Sequence, residues 1–98
     1  MVLEFTGEAI EWRGPAPFVF VPVPPDMSAD IKAISNLVTY GWGCIPVTVH
    51  VGHTAFKTSL FPRQELYLVP IKVHVQRAES VGVGDLVQVR IELPTPSY

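Results

Sequence analysis

The side chains able to do chemistry are few and dispersed. Three histidines, one cysteine and nine carboxylates are the whole supply of metal ligands and acid–base groups. His50-x-x-His53, with His74 further on, is the nearest approach to a metal cluster. On a strand, residues three apart face opposite sides, so these imidazoles converge only if a turn at Gly52 redirects His53. Zinc sites need three or four converging groups, and surface histidines are the better account. Cys44 sits between Gly43 and Ile45, with no cation or helix start beside it to favour the thiolate, and reads as a buried, inert thiol. The pairs Glu8 with Glu11 and Asp26 with Asp30 lack neighbours that would drive their titrations apart, as acid–base work requires. Neither a metal nor another cofactor is expected, and no catalytic constellation stands out.

Two glycine-rich stretches, Gly41-Trp42-Gly43 and Gly82-Val83-Gly84-Asp85, lack the third glycine or the Lys-Ser/Thr of a phosphate cradle. In the second, Asp85 is expected to cap the turn by accepting backbone N–H bonds. Trp12 and Trp42 each adjoin a glycine-rich loop. They either line a pocket at the mouth of a small barrel, where apolar ligands commonly bind, or plug its end. The plug is the simpler reading. Lys57, Ser59 and Arg77 are the polar residues placed nearest such a pocket.

Those residues must be positioned by short strands. Leu3, Phe5, Gly7 and Ala9 alternate with Glu4, Thr6 and Glu8, as a half-buried strand requires, and at Ile10 and Trp12 the apolar parity switches. The switch is either a β-bulge or the end of the strand. Phe18 to Val21 is apolar throughout, which suits a strand covered on both faces. Ile31, Ile34, Leu37 and Val38 form one helical stripe, with Ser28 as N-cap, Asp30 in the first turn and Gly41 as terminator. Ile45 to Val51 and Thr54 to Phe61 alternate about a Gly52-His53 hairpin turn. Pro62-Arg63-Gln64 reads as the next turn and Leu66 to Val69 as another strand. Residues 71–79 fit both periods, and their β-branched residues tip the local reading to strand. Val87, Val89, Ile91 and Leu93 close the pattern, ahead of a loose tail over 94–98.

The composition agrees. The chain has 98 residues, 48% apolar and only 16% charged, with fifteen valines and ten prolines. Disorder is excluded, and so is a long helical protein. One domain over 1–98 is expected. Seven Lys and Arg against nine Asp and Glu give a net charge of −2, and the cations are scattered. The electrostatic footprint of a nucleic-acid binder is missing. Residues 33–56 carry no Asp, Glu, Lys or Arg, but Asn36, Thr39, Gly41, Gly43, Pro46, His50, Gly52 and His53 make them a helix, loop and strand rather than a membrane span. The first residues have no basic region before an apolar run, so no signal peptide is read there, and a single cysteine points to a reducing cytoplasm.

Taken in order, several strings carry a resemblance: Trp12-Arg13-Gly14-Pro15-Ala16-Pro17, the helix entry from Pro24 to Ile34, Phe56-Lys57-Thr58-Ser59-Leu60 and Tyr67-Leu68-Val69-Pro70-Ile71-Lys72. They are followed by Arg77 through Gly84-Asp85-Leu86-Val87-Gln88-Val89. The chain thereby resembles, from about Leu3 to Leu93, a family of small bacterial and archaeal proteins known as domain of unknown function 1905. Five or six short strands with turns at regular spacing read as a small sandwich or barrel. The resemblance implies a compact closed β-barrel with one or two short helices, and a helix over 71–79. The fold expected is therefore mainly β, a small closed β-barrel of about six strands with one or two short helices. The resemblance carries no activity, cofactor or catalytic residue. The expectation is a non-enzymatic barrel acting by binding, through a small apolar ligand, a protein partner or a second copy. The alternative is a nucleic-acid-associated barrel using the Gly84-Asp85 turn. The apolar surplus of Phe18 to Val21 points outward, to a partner surface or a covering helix.

Overall fold

Where the apolar parity switches, the chain changes neighbours. A computed structural model describes residues 2–12, 18–38 and 45–94, with 12, 18 and 35–38 described by backbone alone. Strand β1 (Val2–Glu8) pairs antiparallel with β7 (Leu86–Glu92), whereas β2 (Ile10–Trp12) pairs with β3 (Phe18–Pro22). The hand-over is at buried Ala9. The bulge lies in the opposite strand: the Ala9 N–H donates to the Asp85 carbonyl at 2.9 Å, and the Gly84 N–H donates to the Ala9 carbonyl at 2.8 Å. Two residues therefore oppose one. Gly84 has φ +92° at the third position of the turn 82–85, a conformation that strains any residue with a β-carbon.

The remaining elements are α1 (Pro25–Val38), β4 (Ile45–Val51), β5 (Thr54–Arg63), β6 (Leu66–Ile71) and α2 (Val73–Glu79). The seven strands form one ladder in the order β1-β7-β4-β5-β6-β3-β2. β5 serves both halves, pairing with β4 from Thr54 to Leu60 and with β6 from Phe61 to Arg63. The expected closed barrel of about six strands is corrected to an open half-barrel of seven. Its two edges, β1 and β2, follow one another end to end along the chain and share no ladder. Across the opening β1 instead approaches β3, at Gly7, where a β-carbon would stand 2.7 Å from a Val21 methyl.

The concave face holds the core. Leu3, Ile91, Val49 and Phe56 form one row across four strands, and Val21, Val69 and Ile71 continue the apolar lining on β3 and β6. Each fully buried Val or Ile contributes roughly 1.5–3 kcal/mol by leaving water. Ile31 of α1 and Val75 of α2 complete this cluster.

Both helices depart from the local reading. α1 starts at Pro25, where a missing N–H and a fixed φ suit a first turn, so Ser28 is not its N-cap. Ser28 is 1% exposed, and its hydroxyl donates to the Val23 carbonyl (3.0 Å) while accepting from the Tyr67 N–H (3.2 Å). Because the Val23 N–H donates to the Tyr67 carbonyl at 2.8 Å, that hydroxyl takes the place of the second bond between Val23 and Tyr67, one step beyond the β3–β6 ladder. The strand reading of 71–79 is overturned beyond Ile71. A strand would bury Val73 with Val75, but Val73 is 59% exposed and Val75 fully buried, as one helical turn requires. The Gln76 amide donates to the Ile71 carbonyl at 2.8 Å, and Ser80 closes the helix in the left-handed region. β5 likewise runs through Arg63, so the turn is Gln64-Glu65 rather than 62–64.

Candidate functional site

Strand alternation gives the sheet a second, convex face, and it changes character along its length. On β1, β7, β4 and the first part of β5 the convex residues are mostly polar, Glu4, Thr6, Glu8, Gln88, Arg90, Glu92, Thr48, His50, Lys57 and Ser59, with Val2, Leu86, Pro46 and Ala55 among them. On the other half they are Ile10, Phe20, Pro22, Leu68, Pro70 and Phe61, with Arg63 and Leu66 at one end. The change falls between Ser59 and Phe61 on β5. Phe20 and Leu68 are buried yet lie outside the core cluster. The Phe20 and Phe61 rings meet edge to face at 6.5 Å, a favourable aromatic geometry. Phe61 is still 44% exposed and Ile10 36%. Apolar residues on both faces of β3, expected for Phe18 to Val21, are thus present, and part of the surplus does face outward.

The polar half carries a cross-strand row, Glu4–Arg90–His50. Arg90 Nε lies 3.8 Å from Glu4 Oε1, and its Nη2 lies 3.8 Å from Glu92 Oε1. Glu92 Oε2 is 3.5 Å from His50 Nε2. That nitrogen is shielded from solvent and lies within ion-pair range of Glu92 without the geometry of a hydrogen bond. With side chains this exposed, each pair contributes at most about 1 kcal/mol.

Beside this row lies a cleft of about 510 Å³, bounded by the β4–β5 turn, the end of α2 and the start of β7. Glu79 stands at its rim. The Thr54 hydroxyl donates to Glu79 Oε2 at 2.7 Å, and the His53 N–H donates to Oε1 at 3.3 Å. The Thr54 bond, opposed by desolvation and joined by the His53 N–H and imidazole, holds the Glu79 carboxyl below the usual carboxylate range. Gly52, at φ +58°, fits beneath that carboxylate, and a β-carbon there would overlap Glu79 Oε1. A glutamate at a helix C-terminus opposes the helix dipole. Its bonds to the hairpin offset this, and that misfit was the one sequence signal for its role.

Of the residues singled out from sequence, Lys57, Ser59 and Arg77 are described with their side chains. Lys57 and Ser59 share the convex face of β5, opposite Thr48 and Pro46. Arg77 is exposed on α2. Trp12 pairs by its backbone with Phe18 at the far edge of the sheet, with β6 and β3 between β2 and β5. The Trp12 side chain lies outside the described residues, as do Trp42 and Cys44. The choice between pocket and plug falls there too. His50, His53 and His74 stand on a strand, a turn and a helix, and among the described residues no three His, Cys, Asp or Glu side chains gather as a metal site. Asp85 Oδ2 accepts from the Gly82 N–H at 2.7 Å, the capping bond expected of that turn. Glu79 and Arg90 were missed, and Ser28 was read only as an N-cap.

No helix among the described residues is long and apolar enough to cross a membrane. A family model described as Domain of unknown function (DUF1905) matches residues 5–91. No curated protein and no solved structure matches the chain.

Proposed function

The chain belongs to the DUF1905 family, and from that premise we propose that it is a cytoplasmic binding module that acts by docking through the apolar half of its convex face. The observation that carries this reading is the abrupt change of that face along β5, from Lys57 and Ser59 to Phe61. An exposed phenylalanine and isoleucine on one continuous apolar surface mark an interaction site more often than chance solvent exposure does.

The occupant we propose is a second copy. Glu4, Glu8 and Glu92, which would repel a like-charged copy, all lie on the other half. A two-fold contact sets the same patch against itself, so one apolar surface is its own complement. The lone cysteine, unable to form an internal disulfide, supports the cytoplasmic placement.

Light scattering on size-exclusion fractions tests the docking. Native protein should shift from one chain to two as concentration rises, and Phe61→Ser with Ile10→Thr should stay monomeric while its circular dichroism is unchanged. Native protein that remains monomeric up to about 1 mM, where even a contact of about 4 kcal/mol would show, overturns it. The nucleic-acid alternative draws no such support. The Asp85 carboxylate is committed to its own turn, and a low-salt gel shift is its test.

A further inference from the structure

The cleft beside Glu79 is of ligand-binding size, about 510 Å³, and its sides differ in chemistry. Val81 and Leu86 make an apolar wall, and Leu86 is 76% exposed, an aliphatic side chain left standing in water. The charged lining is two carboxylates, Glu4 and Glu79, against one guanidinium, Arg90. Arg90 lies between Glu4 and Glu92, so its charge is already offset. Glu79 stands differently. Its two oxygens accept from the His53 N–H and the Thr54 hydroxyl, donors without formal charge, and no lysine or arginine among the described residues pairs with it. These bonds fix the carboxylate and keep it ionised without neutralising it. Each oxygen retains a second acceptor position. The rotamer freedom that a glutamate ordinarily loses on gripping a ligand has already been given up. Gly52 makes this possible, since a β-carbon there would occupy the space of the carboxylate.

We propose that this cleft binds a small aliphatic monocation, a primary amine on a short branched hydrocarbon. The ammonium takes the free acceptor positions of Glu79, a charge-assisted bond to an anion already in place. The hydrocarbon covers Leu86 and Val81 and removes apolar surface from water. An uncharged ligand of the same shape gains only the second of these, and an anion meets an unfavourable field. None of the residues through which the second copy docks lines this cleft, so the site goes beyond that reading.

The test is an amide NMR titration of the full chain with 3-methylbutylammonium, and with 3-methylbutanol as its uncharged isostere. The amine should give saturable shifts centred on Gly52, Glu79, Val81 and Leu86. The alcohol should bind weaker by about fivefold, the scale of an exposed ion pair. Glu79→Gln should abolish that preference, whereas Leu86→Ser, at an exposed position, should weaken both ligands and keep it. The comparison of the two ligands on the native chain depends on no variant folding. Equal binding of amine and alcohol, or shifts centred on Glu8 and Glu92 with none at Gly52, overturns the proposal. So does an absence of saturation up to about 50 mM, roughly the dissociation constant of a six-atom ligand at the efficiency of drug-sized ones. A dimer that fails to form leaves all of these readouts intact, so the two proposals fail separately.

Discussion

Replacing Ser28 with alanine should be one of the most damaging single-atom deletions in the chain. The hydroxyl relays the ladder between the Tyr67 N–H and the Val23 carbonyl at 3.2 and 3.0 Å, in a position 1% exposed. Ser28→Ala leaves a donor and an acceptor facing each other with no partner and no water. An orphaned buried group costs about 1–3 kcal/mol, and the carbonyl suffers less than the amide, so a total of about 2–4 kcal/mol is expected. For a domain of this size each kcal/mol lowers the Tm by about 4–8 °C, so the loss should be about 10–25 °C. Thermal unfolding followed by circular dichroism measures it. Ser28→Cys, nearly the same size but a weak donor, should fall between the two. Amide exchange at Tyr67 should accelerate with the alanine variant more than at Val69. A loss under about 0.5 kcal/mol, within the range of ordinary surface substitutions, would refute the relay. It would mean that Tyr67 and Val23 close on each other directly once the hydroxyl is gone.

Gly52→Ala forces a β-carbon into the left-handed region and onto Glu79, and should destabilise by about 1–3 kcal/mol, read by urea denaturation. Because the Glu79 carboxyl titrates lower in the folded chain than in the unfolded one, its stabilising contribution is complete above the ordinary carboxylate range and lost as pH falls through the lowered value. Glu79→Gln should therefore flatten the acid limb of a stability–pH curve and leave neutral and alkaline behaviour parallel to the native chain. Gln64 and Glu65 occupy φ +48° and +68°, both positions of a hairpin turn that favours Asn-Gly. Gln64→Asn with Glu65→Gly should raise the urea midpoint, by about 1 kcal/mol of stability with an unchanged m value.

Strand faces were readable because the inner valines alternate without interruption. The inward set of β4 and β7 follows directly from that alternation. The β4–β5 pairing was readable from the Gly52-His53 turn. Pairing between strands distant along the chain was not, since period two says which side a residue faces and nothing about which strand lies beside it. The parity switch at Ile10 was visible, but only the ladder shows that it separates strands at opposite edges of one sheet. Over 71–79 two periods fitted the same residues, and tertiary packing of one residue, Val75, decided for a helix. The polar row and the Glu79 clamp were hidden for a related reason. Glu4, Arg90 and His50 are far apart along the chain and become neighbours through register alone. Ser28 looked like an N-cap because serine caps helices well, while its use as a bridge between strands leaves no local trace.

The pairing of β1 with β7 joins Val2 to Glu92, residues 90 positions apart. During synthesis, β1 emerges before all the other strands of the sheet and waits for them before its partner β7 exists. Such long-range pairing slows folding, because loop closure precedes the contacts that reward it. In the interval β1 is an apolar strand with a bare edge. Glu4 and Glu8, placed among Val2, Leu3 and Phe5, are the charges that keep such a segment from pairing with other nascent chains. Neutralising them should reduce soluble yield well before it reduces the stability of the finished fold.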